Sequence, residues 1–177
     1  MLKMPEKNNE GIAVKNAGMV LLNSYFPMLF ERLGLLNADK SFKSKTLQSE
    51  AVHYLQYFVC GLSSTEKSLL PLNKIMCGLQ LAESVPEGIL VTEENKKLID
   101  GLIEASIGYW PAIGTATIDG FKGNWLVRDG LLMEEEDRWE LTVEKRAYDI
   151  LIHKSPFSFS IIKLRWMNKP IHVSWPY

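Results

Sequence analysis

Net charge, cysteine, histidine and long apolar runs are all scarce in this sequence, and each shortage closes off a class of function. Twenty Lys and Arg against 21 Asp and Glu leave a formal charge of −1. No extended field therefore draws the chain to nucleic acid or to an anionic membrane surface. The two cysteines, Cys60 and Cys77, sit in "YFVCG" and "IMCGL", apolar settings in which a reduced thiol packs as a small hydrophobe rather than forming a disulfide or acting as a nucleophile. His53, His153 and His172 lie far apart, and no H-x-x-x-H or Cys/His spacing suited to zinc accompanies them, so no metal and no other cofactor is expected. G-x-S-x-G, P-loop and G-x-G-x-x-G patterns are missing as well, which removes the usual nucleophile-elbow and nucleotide-cradle signatures.

The most apolar stretch, "NAGMVLLNSYFPMLFERLGLL" from 16 to 36, is interrupted by Asn23, Ser24, Pro27, Glu31 and Arg32. A membrane-spanning helix needs about 20 nearly uninterrupted apolar residues, and charges within one are costly. No membrane insertion is expected. The opening "MLKMPEKNNEG" has no basic segment leading into an apolar one, so the expected localisation is cytoplasmic.

What is present is ordinary globular material: 177 residues, 46% hydrophobic, with five Trp, six Tyr and seven Phe, enough for one domain with a real core. Residues 1–15 read as a flexible arm, because "PEKNNEG" has nothing to bury, and 16–177 as a single domain. Within the apolar stretch Val20, Leu21, Tyr25, Met28, Leu29, Phe30 and Leu33 recur at steps of three and four around Pro27, predicting two short helices or one kinked helix.

Ser44 or Thr46 caps "LQSEAVHYLQYFVCG", read as an amphipathic helix with Ala51, Leu55, Phe58 and Val59 on one face and Gly61 past its end. Pro71 opens a short helix over 72–77, stopped by Gly78. Thr92 caps "EENKKLIDGLIEASIGYW", where Glu93 and Glu94 suit the positive end of the helix and Leu98, Leu102, Ile103, Ala105 and Ile107 form the apolar stripe. A further helix is predicted over 117–129.

After Gly130 the period changes from 3.6 to 2. "LLMEEEDRWELTVE" reads as a hairpin with Trp139, Leu141 and Val143 inward and an acidic turn near Glu136 and Asp137. "FSFSIIKLRW" and "KPIHVSW" read as a second pair of strands, with a short helix or turn in "KRAYDILIHKSP" between the pairs. The prediction is an α+β fold: a mainly helical first two thirds, then an antiparallel sheet of about four strands.

Paired carboxylates alone can make a glycosidase. Yet "MEEED" is a charge run at a predicted hairpin tip, and Glu31, Glu50, Asp119 and Asp149 have no spacing that implies a shared site. The tryptophans at 110, 125, 139, 166 and 175 fall on predicted helices and alternating strands, where they read as core or interface. No enzyme is expected.

The same stretches carry a resemblance. Residues 16–36 are similar to the "AGLVLL" and "P-x-LF-x-x-LGL" patterns of contractile injection system tape measure proteins, matched by Ala17, Gly18, Leu21, Leu22, Pro27, Leu29, Phe30, Leu33 and Gly34. "AVHYLQYFVCG" resembles the family's "AVHLLQYLATG", and "LPLNKIMCGL" its "LPLNKLLCGL". "IGYWPAIGTATIDGFKGNWLVRDGLL" resembles its tryptophan, "TS" and "FLxRxGKL" region. "WELTVEKRAYDILIHKSPFSFSIIKLRWMNKPIHVSW" resembles its closing "VE", "DILL", "PW", "IKLPWM" and "V-x-W" run. Coverage is roughly 16–175. Departures include Thr115-Ala116 for "TS", Trp125 for the Phe of "FL-x-R", Pro156-Phe157 for "PW", and Arg165 for the proline of "LPWM".

The resemblance implies a structural part of a phage-tail-like particle in which a contracting sheath drives an inner tube through an envelope. A domain of this length has a radius of gyration of about 16 Å, and even an all-helical chain would reach only about 270 Å. It is therefore read as a docking module rather than the ruler itself, joining a tape measure or inner tube to the baseplate hub or cap. Partners are expected among tube, hub, spike or cap proteins, with no nucleic acid, and incorporation into the particle is implied. Tyr25 and Phe26 are the candidate partner surface. The alternatives are a particle-borne cell-wall hydrolase and a small effector or immunity-type binder.

Overall fold

The computed structural model describes residues 10–176. Its helices crowd the first two thirds of the chain and pack on one face of a five-stranded sheet, an α+β arrangement in which each layer buries the apolar side of the other.

The sheet departs from the predicted four antiparallel strands in two ways. Its order is β1 (Ile12–Val14), β2 (Gly130–Glu134), β3 (Trp139–Val143), β5 (Ile171–Ser174) and β4 (Ile161–Ile162). The first strand comes from the supposed arm: Val14 pairs opposite Gly130 and Ile12 opposite Leu132. Residues 1–9 of that predicted arm lie outside the described residues. Folded structure thus begins by Ile12, because "IAV" offers β-branched residues to an otherwise open edge. β3 and β5 run parallel, while the other neighbours run antiparallel. Alternation then sorts the side chains: Val14, Leu132, Leu141, Val143, Ile162 and Ile171 are buried inward, while Ala13, Leu131, Thr142 and Ser174 form an exposed row across the outer face.

The apolar stretch becomes two pieces. A tight 3-10 stretch over Ala17–Tyr25 breaks at Leu22, and α1 follows over Phe26–Arg32 with Pro27 in its first turn, where a missing N–H costs nothing. Gly18 is forced here by packing. A Cβ on it would stand 1.8 Å from the Trp125 carbonyl oxygen, so only glycine lets the two backbones touch.

α2 (Lys45–Cys60) begins at Ser44, whose hydroxyl accepts from the Leu47 N–H, and ends at Gly61 with φ 75°; Thr46 plays no capping part. The predicted one-sided character of α2 is not observed. Ala51 to Val59 are buried almost all round, Tyr57 alone being half-exposed, because α1, the short helix after Leu70, the turn over 122–126 and the loop at Pro86 all pack against this helix. α3 (Pro71–Met76) lies against it, followed by Gly78 at φ 79°. A Cβ at Gly78 would lie 2.3 Å from the Trp166 carbonyl oxygen.

α4 (Glu93–Gly108) is capped by Thr92 as the sequence predicts. Its buried side is Ile99, Leu102, Ile103 and Ser106. The predicted stripe is therefore rotated: Leu98 is only half-buried and Ala105 is exposed. The helix predicted over 117–129 is shorter. α5 (Ile118–Phe121) passes into a π-helical turn over Lys122–Leu126, and Val127 is already extended, since Gly120 and Gly123 weaken the helix. Leu164–Met167 forms a turn closed by the Met167 N–H on the Leu164 carbonyl. Arg165 occupies the second position, which favours the proline it replaces.

Candidate functional site

Three places bring together side chains from distant segments, two inside the fold and one on its surface. The first interior node joins three neutral amides. Asn16, two residues past β1, donates through Nδ2 to Gln56 Oε1 of α2 at 2.8 Å and to Asn73 Oδ1 of α3 at 2.6 Å. Asn73 donates in turn to the Val52 carbonyl at 3.0 Å and to Gln56 Oε1 at 3.2 Å. All three side chains are buried, so each bond replaces water that the core excludes. The neighbouring Lys74 is also buried, and its Nζ donates to the carbonyls of Leu81 and Glu83 at 2.9 and 2.8 Å. Burial, and then the charge of Lys67, pushes Lys74 below its ordinary range. The "LNK" triplet thus ties α3 to α2, to the chain entry and to the loop that follows.

The second node is ionic. Arg128 grips Asp149 with two parallel bonds, Nη2 to Oδ1 at 2.7 Å and Nη1 to Oδ2 at 2.8 Å, with both side chains fully buried. Planar, two-pronged pairing of this kind is the strong form of the interaction. The remaining donors of Arg128 reach the Asn124 and Glu144 carbonyls. Asp149 Oδ2 also accepts from the Arg146 backbone N–H and from Trp175 Nε1, each at 2.9 Å. Burial alone would raise the Asp149 carboxyl, but the bonds from Arg128, Arg146 and Trp175 together with the Arg128 charge hold it below the usual carboxylate range. The guanidinium lies over the rings of Trp175, Trp125 and Tyr148 at 5.1 to 5.5 Å, a cation–π cage.

Neither node is arranged for chemistry. The Asp149 oxygens are occupied and closed to solvent, whereas a general base needs reach to a substrate proton. Cys77 is buried, which raises its thiol well above its ordinary range and leaves it unreactive at neutral pH. His53 is buried against the Pro86 carbonyl. Among the described residues no three His, Cys, Asp or Glu side chains are grouped to hold a metal ion. The five tryptophans serve the core and its seams: Trp110 is fully buried 4.5 Å from Trp125, and Trp166 Nε1 reaches the Met76 carbonyl at 2.7 Å.

The surface feature is a groove of about 560 Å³ between α1 and α4. Its lining includes Tyr25, Met28 and Arg32 on one side and Lys97, Leu98, Gly101, Ala105 and Tyr109 on the other. The sequence-predicted pair divides here. Phe26 is fully buried, packed on Phe30 and Phe58, so it offers a partner nothing. Tyr25, the residue just before α1, is half-buried at the groove, with its ring edge-on to Phe157. Burial, then the nearby Tyr109, raises the Tyr25 hydroxyl above its ordinary range.

Fold and nodes together define an α+β protein whose motif residues are committed to holding its segments in place. The family model for contractile injection system tape measure proteins matches residues 3–175, nearly the whole chain. This chain belongs to that family. Membership implies a structural part in an injection particle and protein partners within it. No curated protein and no solved structure matches the chain. No helix among the described residues is long and apolar enough to cross a membrane.

Proposed function

We propose that this chain is a non-catalytic docking module that joins the tape measure or inner tube of an injection particle to the baseplate hub or cap, and that it is made in the cytoplasm and built into the particle there. The observation that carries this reading is where the motif residues go. Gly18, Asn73, Lys74, Gly78, Arg128, Asp149 and Trp175 all belong to the motif blocks, and each is used to lock two segments together inside the fold. A module selected for shape spends its polar groups in this way; an enzyme keeps at least one reactive group open to substrate.

Tagged chain purified from cells assembling the particle should bring down hub, spike, tube or cap proteins. Recovery of none of them from lysate that contains complete particles would sink the docking role. Turnover of peptidoglycan by the purified chain, lost on substitution of a surface carboxylate, would replace the proposal with a hydrolase.

A further inference from the structure

The groove between α1 and α4 is apolar along its floor and carries charge of one sign. Leu29 and Leu102 form the buried base, Met28 and Leu98 are half-buried above them, and Tyr109 is 63% exposed at one end. Arg32 and Lys97 are the charged residues of the lining, and no carboxylate lines it. Neither cation makes an ion pair among the described residues; Glu31, beside Arg32, is engaged by Lys40 instead. The ends can be told apart. Tyr25 precedes α1, Tyr109 follows α4, and both line the same groove, with Tyr109 close enough to raise the Tyr25 hydroxyl. The helices therefore run antiparallel across the groove, which puts Arg32 and Lys97 toward the end away from the tyrosines.

The α4 wall is also open for close approach. Lys97, Gly101, Ala105 and Tyr109 follow one another at intervals of four, and so share one side of the helix. Glycine in a helix interior is less favourable than alanine, yet a Cβ at Gly101 would meet no heavy atom within 4 Å. Among the described residues nothing fills the notch. From Lys97 to Tyr109 the helix rises about 18 Å, the length of three turns.

We propose that this groove seats an amphipathic helix of about three turns from another protein of the particle, apolar toward Met28, Leu98 and Leu102 and bearing carboxylates beside Arg32 and Lys97. The assignment rests on the docking function proposed above and names the chemistry of its partner. Charge complementarity selects the occupant: unpaired cations beside an apolar trough are satisfied by acidic groups on the rim of a helix whose apolar face is buried.

The test places a photo-crosslinking residue at position 105 of the full chain, with the same residue at position 142 on the outer face of the sheet as control, in cells assembling the particle. Mass spectrometry of the position-105 product should identify a segment with helical apolar periodicity and Asp or Glu near the cross-link. Arg32→Glu with Lys97→Glu should lower the yield tenfold or more, and Glu→Lys changes in the captured segment should restore it. Gly101→Leu should block capture while circular dichroism shows a melting temperature at or above that of the parent. Cross-links to another copy of this chain or to lipid, a captured segment without carboxylates, or a yield unmoved by the charge reversal would each overturn the assignment. Silence at position 105 with particle proteins captured from position 142 refutes the groove but leaves the docking function standing; silence at both, with no incorporation into particles, refutes both.

Discussion

The buried nodes and the α1–α4 groove use polar residues in opposite ways. Inside, Arg128, Asp149, Asn16, Gln56 and Asn73 are drawn from five separated segments and bonded to one another. Outside, Arg32 and Lys97 flank an apolar trough and bond to nothing among the described residues. The contrast shows where fold and binding are divided in this molecule. The buried polar residues hold distant segments together, and the cations at the groove take no part in that work.

The contrast breaks most sharply at Asp149. Asp149→Ala leaves the Arg128 guanidinium buried without its counter-ion, and should cost about 3–5 kcal/mol, read by chemical denaturation. Arg128→Met combined with Asp149→Leu should cost far less than Asp149→Ala alone, since no charge is then stranded; equal losses would show that the pair's packing, not its charge, matters. The same carboxylate sets an acid limit. Its folded pKa lies below its unfolded value, so its contribution is full above the unfolded value, near 3.9 in model peptides, and is lost as pH falls through the folded value. Acid titrations followed by tryptophan fluorescence should show this loss in the parent and not in the Met/Leu double variant.

Asn73→Leu tests the amide node. It removes the acceptor for one Asn16 donor and should cost about 1–3 kcal/mol, with Asn16→Ala added on top costing less than its separate effect because the two share a network. The groove should behave differently. Gly101→Ala is expected to raise stability by about 0.5–1 kcal/mol, as among the described residues nothing beyond its own helix backbone and chain neighbours stands within 4 Å of the new methyl. Arg32→Glu with Lys97→Glu should shift it by no more than about 0.5 kcal/mol. A groove substitution that unfolds the chain would erase the distinction between the two regions.

Local signals in the sequence carried a good deal of the fold. Ser44 and Thr92 cap the helices they precede, Pro71 opens α3, and the alternation after Gly130 produces β2 and β3 in the predicted hairpin. Each depends on neighbours within a few positions. The strand at Ile12–Val14 was hidden because three residues beside "PEKNNEG" have no local period, and its partner lies more than a hundred positions away. The stripe of α4 was misplaced because Leu98, Ile99 and Ala105 are alike in hydropathy; which of them turns inward depends on the layer beneath. Phe26 was expected at the surface beside Tyr25, yet one helical step separates a core ring from a groove ring. The Arg128–Asp149 pair had a signal only in the family blocks, since spacing alone treats Asp149 as one of several scattered carboxylates.

By itself the sequence determined the caps and stops of its main helices, the change of period at Gly130, and its family. These follow from composition and from interactions between residues close along the chain. Tertiary structure alone decided that β3 and β5 run parallel, that Asn16, Gln56 and Asn73 meet, that Asp149 is sealed against Arg128 and Trp175, and that Leu98 and Ala105 look outward onto a groove. Those outcomes depend on which distant segments share a boundary, and burial makes each shared boundary selective: a polar group removed from water must find its partner there or the fold loses the full cost of desolvating it.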